Sequence, residues 1–172
     1  YPIIRVRQGG TGIDGQIVAV GNGTAESYQA IPPGGVQAKS QFGATTTIAA
    51  SYAPIQGWVP VTAGSTSAMN GNYLIAPFSG TATLSATATF SGATSANGTT
   101  IEIVKSDATV IATGSTVSGN SGVCTATGTA TVVQGGQYTV EGQEALSKNG
   151  VAGSWTNGTF TISPPLITNT GT

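Results

Sequence analysis

The chain has 172 residues, a net charge of −1, no histidine and one cysteine, and only 6% of its residues are charged, against roughly 25% in an average soluble protein. With no basic stripe, binding to nucleic acid, which needs several phosphate contacts, is excluded, and without histidine so are Ser-His-Asp and Cys-His catalysis. No apolar run approaches the ~20 residues of a membrane-spanning helix, and no basic stretch followed by an apolar one reads as a signal peptide.

Tyr1 to Arg7 is a short β-prone segment, and Pro2 suits an edge or an arm. Two glycine-rich turns, Gly9-Gly10-Thr11-Gly12 and Gly21-Asn22-Gly23-Thr24, bracket a short strand over Gln16 to Val20. Ser27 to Ile31 can form another, ended by Pro32-Pro33-Gly34-Gly35. Residues 1–35 thus make a small β arm. An isolated hairpin of this kind is marginal, so its apolar residues Ile3, Ile4, Val6, Ile17, Val18 and Val20 are expected to attach to another chain. The glycines fit neither a Walker loop nor a dinucleotide fingerprint, and turn chemistry explains them. Residues 36–43 read as a linker. A helical turn over Val36 to Gln41 would fall far below the ~12–15 residues that an isolated helix needs.

From Ala44 the strands come at regular spacing. Strands are expected at Thr45 to Tyr52, continued after a break over Pro54 to Pro60, and at Asn72 to Ala76. The clearest run is Gly80 to Phe90. Its even positions Ala82, Leu84, Ala86, Ala88 and Phe90 are apolar, and Thr81 to Thr89 supply Thr or Ser at every odd position. Strand side chains alternate faces, so one face is buried and the other is covered by hydroxyls. Asn97-Gly98 reads as a hairpin turn, as does Asn157-Gly158. Thr99 to Lys105 and Thr109 to Thr113 follow. Gly122 to Val133 then repeats the alternation, with Cys124 on its apolar phase as a buried, inert thiol. Gln137 to Gly142 and Gly158 to Ser163 close the set. Such a series of short strands with turns between them reads as an all-β sandwich or barrel over residues 44–165, with a tail at 166–172.

Trp58 and Tyr73 fall among strand residues and read as core. Trp155 falls in a polar stretch, Asn149 to Gly158, where two readings stand open. It packs inside, or it sits on an exposed loop and contacts a sugar or a partner subunit. The carboxylates are scattered. Glu141 and Glu144 would project to opposite sides of a strand, with a loop at Gly142-Gln143 between them. Asp107 stands alone among small residues, too isolated to nucleate a calcium site. No catalytic, metal or cofactor set is assigned, and the chain reads as a non-enzyme.

Two resemblances add to this. Gly9 to Gly12, Gly15-Gln16-Ile17 and Gly21 to Thr24 resemble a GGTG module of phage tail fibres and related virion appendages, which implies an intertwined, trimer-forming stem. The order from Gly57-Trp58 through Pro77-Phe78-Ser79-Gly80, the long alternating strand, Gln134 to Val140 and Gly158 to Ile162 resembles the jelly-roll heads of the complement and tumour-necrosis-factor class. It is more closely similar to those of actinobacteriophage head-fibre and minor tail proteins. These resemblances imply an all-β, antiparallel jelly-roll sandwich behind a small N-terminal β arm, assembled as a homotrimer. They imply a capsid decoration or head-fibre protein on the outer surface of the virion, made in the host cytoplasm and held to the major capsid protein or another virion component. The alternative is a tail-fibre tip that recognises host-surface glycans.

Overall fold

A computed structural model describes residues 5–6, 17–18, 38–42, 45–61 and 67–164, and every helix or strand among them is a strand. β1 (Arg5–Val6) and β2 (Ile17–Val18) pair antiparallel as a ribbon of their own. In chain order, the others are β3 (Ala38–Phe42), β4 (Thr46–Thr47), β5 (Ala53–Pro54), β6 (Trp58–Pro60), β7 (Met69–Asn70), β8 (Tyr73–Ile75), β9 (Gly80–Ser91), β10 (Thr94–Lys105), β11 (Val110–Thr113), β12 (Gly122–Val132), β13 (Gln137–Val151) and β14 (Ser154–Ser163). One sheet runs β12-β9-β14-β3-β6, with β4 also on β14. The other runs β11-β10-β13-β8-β7, with β5 also on β13. All pairings are antiparallel. From β9 onward the chain passes repeatedly between the two sheets, with β9, β12 and β14 in one and β10, β11 and β13 in the other. This is the wiring of a jelly roll.

Alternation builds the core as the sequence suggests. Ala82, Leu84, Ala86, Ala88 and Phe90 of β9 are buried, and so are Cys124, Ala126 and Val132 of β12. The β9–β12 register sets Ala86 beside Ala126 and Ala88 beside Cys124. These small side chains leave room for Ile101, Ile103, Tyr138 and Val140 of the facing sheet and for Phe160 and Ile162 of β14. Interdigitation of large against small side chains fills a sandwich interior to protein density.

Several expectations are corrected. Residues 36–43 are no plain linker, because Ala38 to Phe42 form β3 and pair with Thr159 to Ile162 of β14 and with β6. Asn97-Gly98 is no hairpin turn. It lies within β10, where the pairing with β13 shifts register between Thr94 and Gly98. Glycine stands there for space, since a Cβ at Gly98 would lie 2.2 Å from Thr116 Cγ2. The reversal comes earlier, at Gly92, whose φ of +81° suits glycine. Gly142-Gln143 is no loop, because β13 continues to Val151. The region expected as a strand over Thr45 to Tyr52 contains only β4, after which the chain crosses to the other sheet. The tail at 166–172 and the turns at Gly9 to Gly12 and Gly21 to Thr24 lie outside the described residues.

Candidate interaction surface

Of the arm residues expected to attach to a partner, Val6, Ile17 and Val18 lie in the β1–β2 ribbon, with Val6 opposite Ile17 and Val18 opposite Arg5. Ile3, Ile4 and Val20 lie outside the described residues.

Trp155 is in no loop. It belongs to β14, is 2% exposed and meets Phe90 edge-on, with ring centroids 6.2 Å apart and planes at 78°. Glycine at 142 makes room for it, since a Cβ there would lie 2.3 Å from the indole. The open question is therefore settled for packing inside, and Trp155 is withdrawn as a contact for sugar or partner. The physical reason is a β-bulge. The β14–β9 register slips between Trp155 and Asn157, and one extra residue inverts the side-chain phase. Counted back from Phe160 and Ile162, position 155 falls on the outer phase, and the bulge turns it inward. Trp58, 6% exposed, and Cys124, fully buried, are core residues as expected. Burial raises the Cys124 thiol to about 11, with Glu144 adding to the shift, which leaves it protonated and unreactive.

The outward face of β12-β9-β14 is a hydroxyl lattice. Register aligns Thr125, Thr87 and Thr159 in one row, Thr127, Ser85 and Thr161 in the next, and Thr129, Thr83 and Ser163 in a third. Rows recur at roughly 6.6–6.8 Å along the strands, and members of a row at roughly 4.8 Å. Ser85 and Thr127 hydroxyls lie 3.0 Å apart, and those of Thr87 and Thr159 lie 2.9 Å apart. Threonine is chosen here for a physical reason. Its β-branch favours strand, its methyl packs laterally, and its hydroxyl bonds to the neighbouring strand. No charged residue occurs in these three strands, and Lys39 on β3 is the only one in the whole sheet.

The second sheet is the opposite. Glu102, Lys105, Glu141, Glu144 and Lys148 lie on β10 and β13, and Asp107 follows β10. Glu102 faces Glu141 directly across the two strands. Glu102 is only 9% exposed, and burial first, then the Glu141 charge, raises its pKa above the ordinary 4.5 against a bond from Thr113. Tyr52 beside it is also raised, by burial and then by Glu102, while a bond with Gln143 opposes the shift. Asp107 is held down to about 2, chiefly by the 2.7 Å bond from Lys105.

Glu144 faces inward and is 1% exposed. Its carboxylate accepts the Thr99 hydroxyl at 3.2 Å and the Gly153 N–H at 2.8 Å. Around it, Glu144 N donates to Ala49 O and Ile48 N donates to Gly153 O. The crossing segment is thereby tied to both sheets at one end of the sandwich. The even phase of Tyr138 and Val140 runs on to Glu144, a signal obscured by reading a loop at Gly142. Among the described residues, no three of His, Cys, Asp or Glu gather as metal ligands would, and no helix is long and apolar enough to cross a membrane.

Comparison with solved structures gives the architecture a counterpart. The Eiger TNF of S. frugiperda superposes with a TM-score of 0.52 over 80% of this chain and 97% of its own, at 8% identity. The fold is a TNF-type jelly roll. Murine APRIL at pH 8.5 is also similar, with a TM-score of 0.48 at 14% identity over 74% of this chain and 99% of its own. At such identities the likeness is one of fold. No protein-family model and no curated protein matches the sequence. The Eiger likeness supports the jelly-roll head, and it does not bear on the phage resemblance of the head or on the GGTG stem.

Proposed function

We propose that this chain is a non-enzymatic structural subunit that self-associates as a homotrimer through the hydroxyl face of β12-β9-β14. One observation carries this reading: three adjacent long strands present a regular outer face of small polar side chains with no charge on them, while the other sheet takes the acidic groups. Small side chains let subunits approach closely, and a face without charge can be covered by a neighbouring subunit around a three-fold axis with no charge left unpaired. On this reading, the N-terminal arm with its GGTG module fixes the trimer to a phage capsid or another virion component. The jelly-roll head then projects outward as a decoration or head-fibre protein on the virion surface. A glycan-recognising tail tip finds less support, because the aromatic residue named for stacking on a sugar, Trp155, is buried.

Light scattering on the full chain after size exclusion tests the assembly. A mass three times the 16.9 kDa of one chain is expected, and a monodisperse monomer at micromolar concentration would overturn it. Binding to purified phage heads and to purified tails separates decoration from a tail role.

A further inference from the structure

The hydroxyl face carries one residue whose chemistry is set to change. Asn157 lies at the β14 bulge, exposed, and its register partner is Thr89 on β9. Its side chain folds back over the next peptide, so that the Gly158 N–H donates to Asn157 Oδ1 at 2.7 Å. Glycine at 158 is enforced by the fold, since a Cβ there would lie 2.6 Å from Thr87 O and 3.1 Å from the Trp58 ring. Without a Cβ, the Gly158 nitrogen also has an open approach to the neighbouring carboxamide. The bulge interrupts the regular ladder at this point, which frees the backbone to bend.

We propose that Asn157 is a site of spontaneous deamidation, and that the charge it gains weakens self-association through this face. This second half rests on the assembly proposed above. The Gly158 nitrogen gives up its proton and attacks Asn157 Cγ. A C–N bond forms, the Cγ–Nδ2 bond breaks, and ammonia leaves with the proton, giving a cyclic imide. Water opens the imide at either carbonyl, to aspartate or to isoaspartate. No electrons are transferred, and water is the sole co-reactant. Either product places a carboxylate where β9, β12 and β14 have none, and an interface through this face would bury that charge against a neighbouring subunit without a counter-charge. Isoaspartate also lengthens the backbone opposite Thr89.

Asn70-Gly71 provides an internal comparison. There the Asn70 amide is engaged with Gln137 Oε1 at 3.2 Å, and Gly71 sits in a tight turn with φ +59°. The full, folded chain is incubated at mildly alkaline pH and mapped by peptide mass spectrometry. Asn157 is expected to convert several-fold faster than Asn70. Equal or slower conversion overturns the chemical half. Separately, Asn157→Asp is compared with wild type and Asn157→Gln by light scattering. Loss of the higher-mass species in the aspartate variant alone supports the second half. Unchanged association of that variant overturns the second half only. A monomeric wild type removes the assembly reading and the second half with it, while the conversion at Asn157 is still decided by the first experiment.

Discussion

The two sheets of this sandwich solve the same problem in opposite ways. Both must cover an apolar interior and present an outer face to something polar. The β12-β9-β14 face does so with hydroxyls that bond sideways to one another, as between Ser85 and Thr127. The β10-β13 face does so with charge, and sets two like charges opposite each other at Glu102 and Glu141. Uncompensated carboxylates across an antiparallel pair are destabilising, whereas a threonine pair is mildly stabilising. The difference teaches that low overall charge is here a matter of placement. The few charged groups are kept away from one face.

The interior that both sheets share sets the largest effect. Trp155→Ala removes the indole from between Phe90 and Gly142, and a loss of about 3–5 kcal/mol in chemical denaturation is expected. A loss below 1 kcal/mol, on the order of an exposed-site change, would contradict the buried strand position. Next comes the end of the sandwich where the sheets are tied together. Glu144→Ala leaves the Thr99 hydroxyl and the Gly153 N–H without their acceptor, and about 1–3 kcal/mol should be lost. Thr99→Val should lose less, because Gly153 keeps its partner.

The charged face then yields a gain. Glu102→Gln relieves the repulsion with Glu141 and should stabilise the domain by up to about 1 kcal/mol at neutral pH. The pH dependence follows from the raised pKa of Glu102. Between its ordinary 4.5 and its higher value in the fold, the folded chain holds a proton that the unfolded chain has lost. Stability therefore falls as pH rises through that window and is fully restored below it. Thermal melting across the window should show this slope in wild type and a flatter one in Glu102→Gln. An equal slope in both would assign the dependence to other groups.

The smallest effect on folding is expected on the hydroxyl face, and it separates the two faces most sharply. Thr129→Lys, exposed on β12, should change stability by no more than about 0.5 kcal/mol. On the proposed assembly it nevertheless abolishes the higher-mass species. A variant that keeps that species would show that this face is free.

Much of the fold is legible in period-two alternation. β9 and β12 were readable almost residue for residue, because each is long, regular and buried on one side only. What failed to read has a common cause. At Trp155, at Asn97-Gly98 and at Gly142-Gln143, a local signal for a turn or loop was overridden by pairing with a distant strand. The bulge before Asn157 reverses the phase, and the glycines at 98 and 142 answer to Thr116 and Trp155 in space rather than to a turn. β3 was missed because Ala38 to Phe42 is short and mixed, and pairing with β14 on one side and β6 on the other makes it a strand. For the surface, the absence of charge in three strands was plain in the sequence. That these strands are adjacent, so that their hydroxyls form one continuous field, required the register. The opposed pair Glu102 and Glu141 was illegible for the same reason.

A contact made of methyl groups and hydroxyls gives dissolved ions almost nothing to screen. Salt screens the attraction between exposed charges, with a decay length of about 8 Å at physiological ionic strength, and the rows from Thr125 to Ser163 contain no charge. A particle held together by such faces would keep its joints when carried from fresh water to brine, whereas one joined by Lys–Glu bridges would loosen.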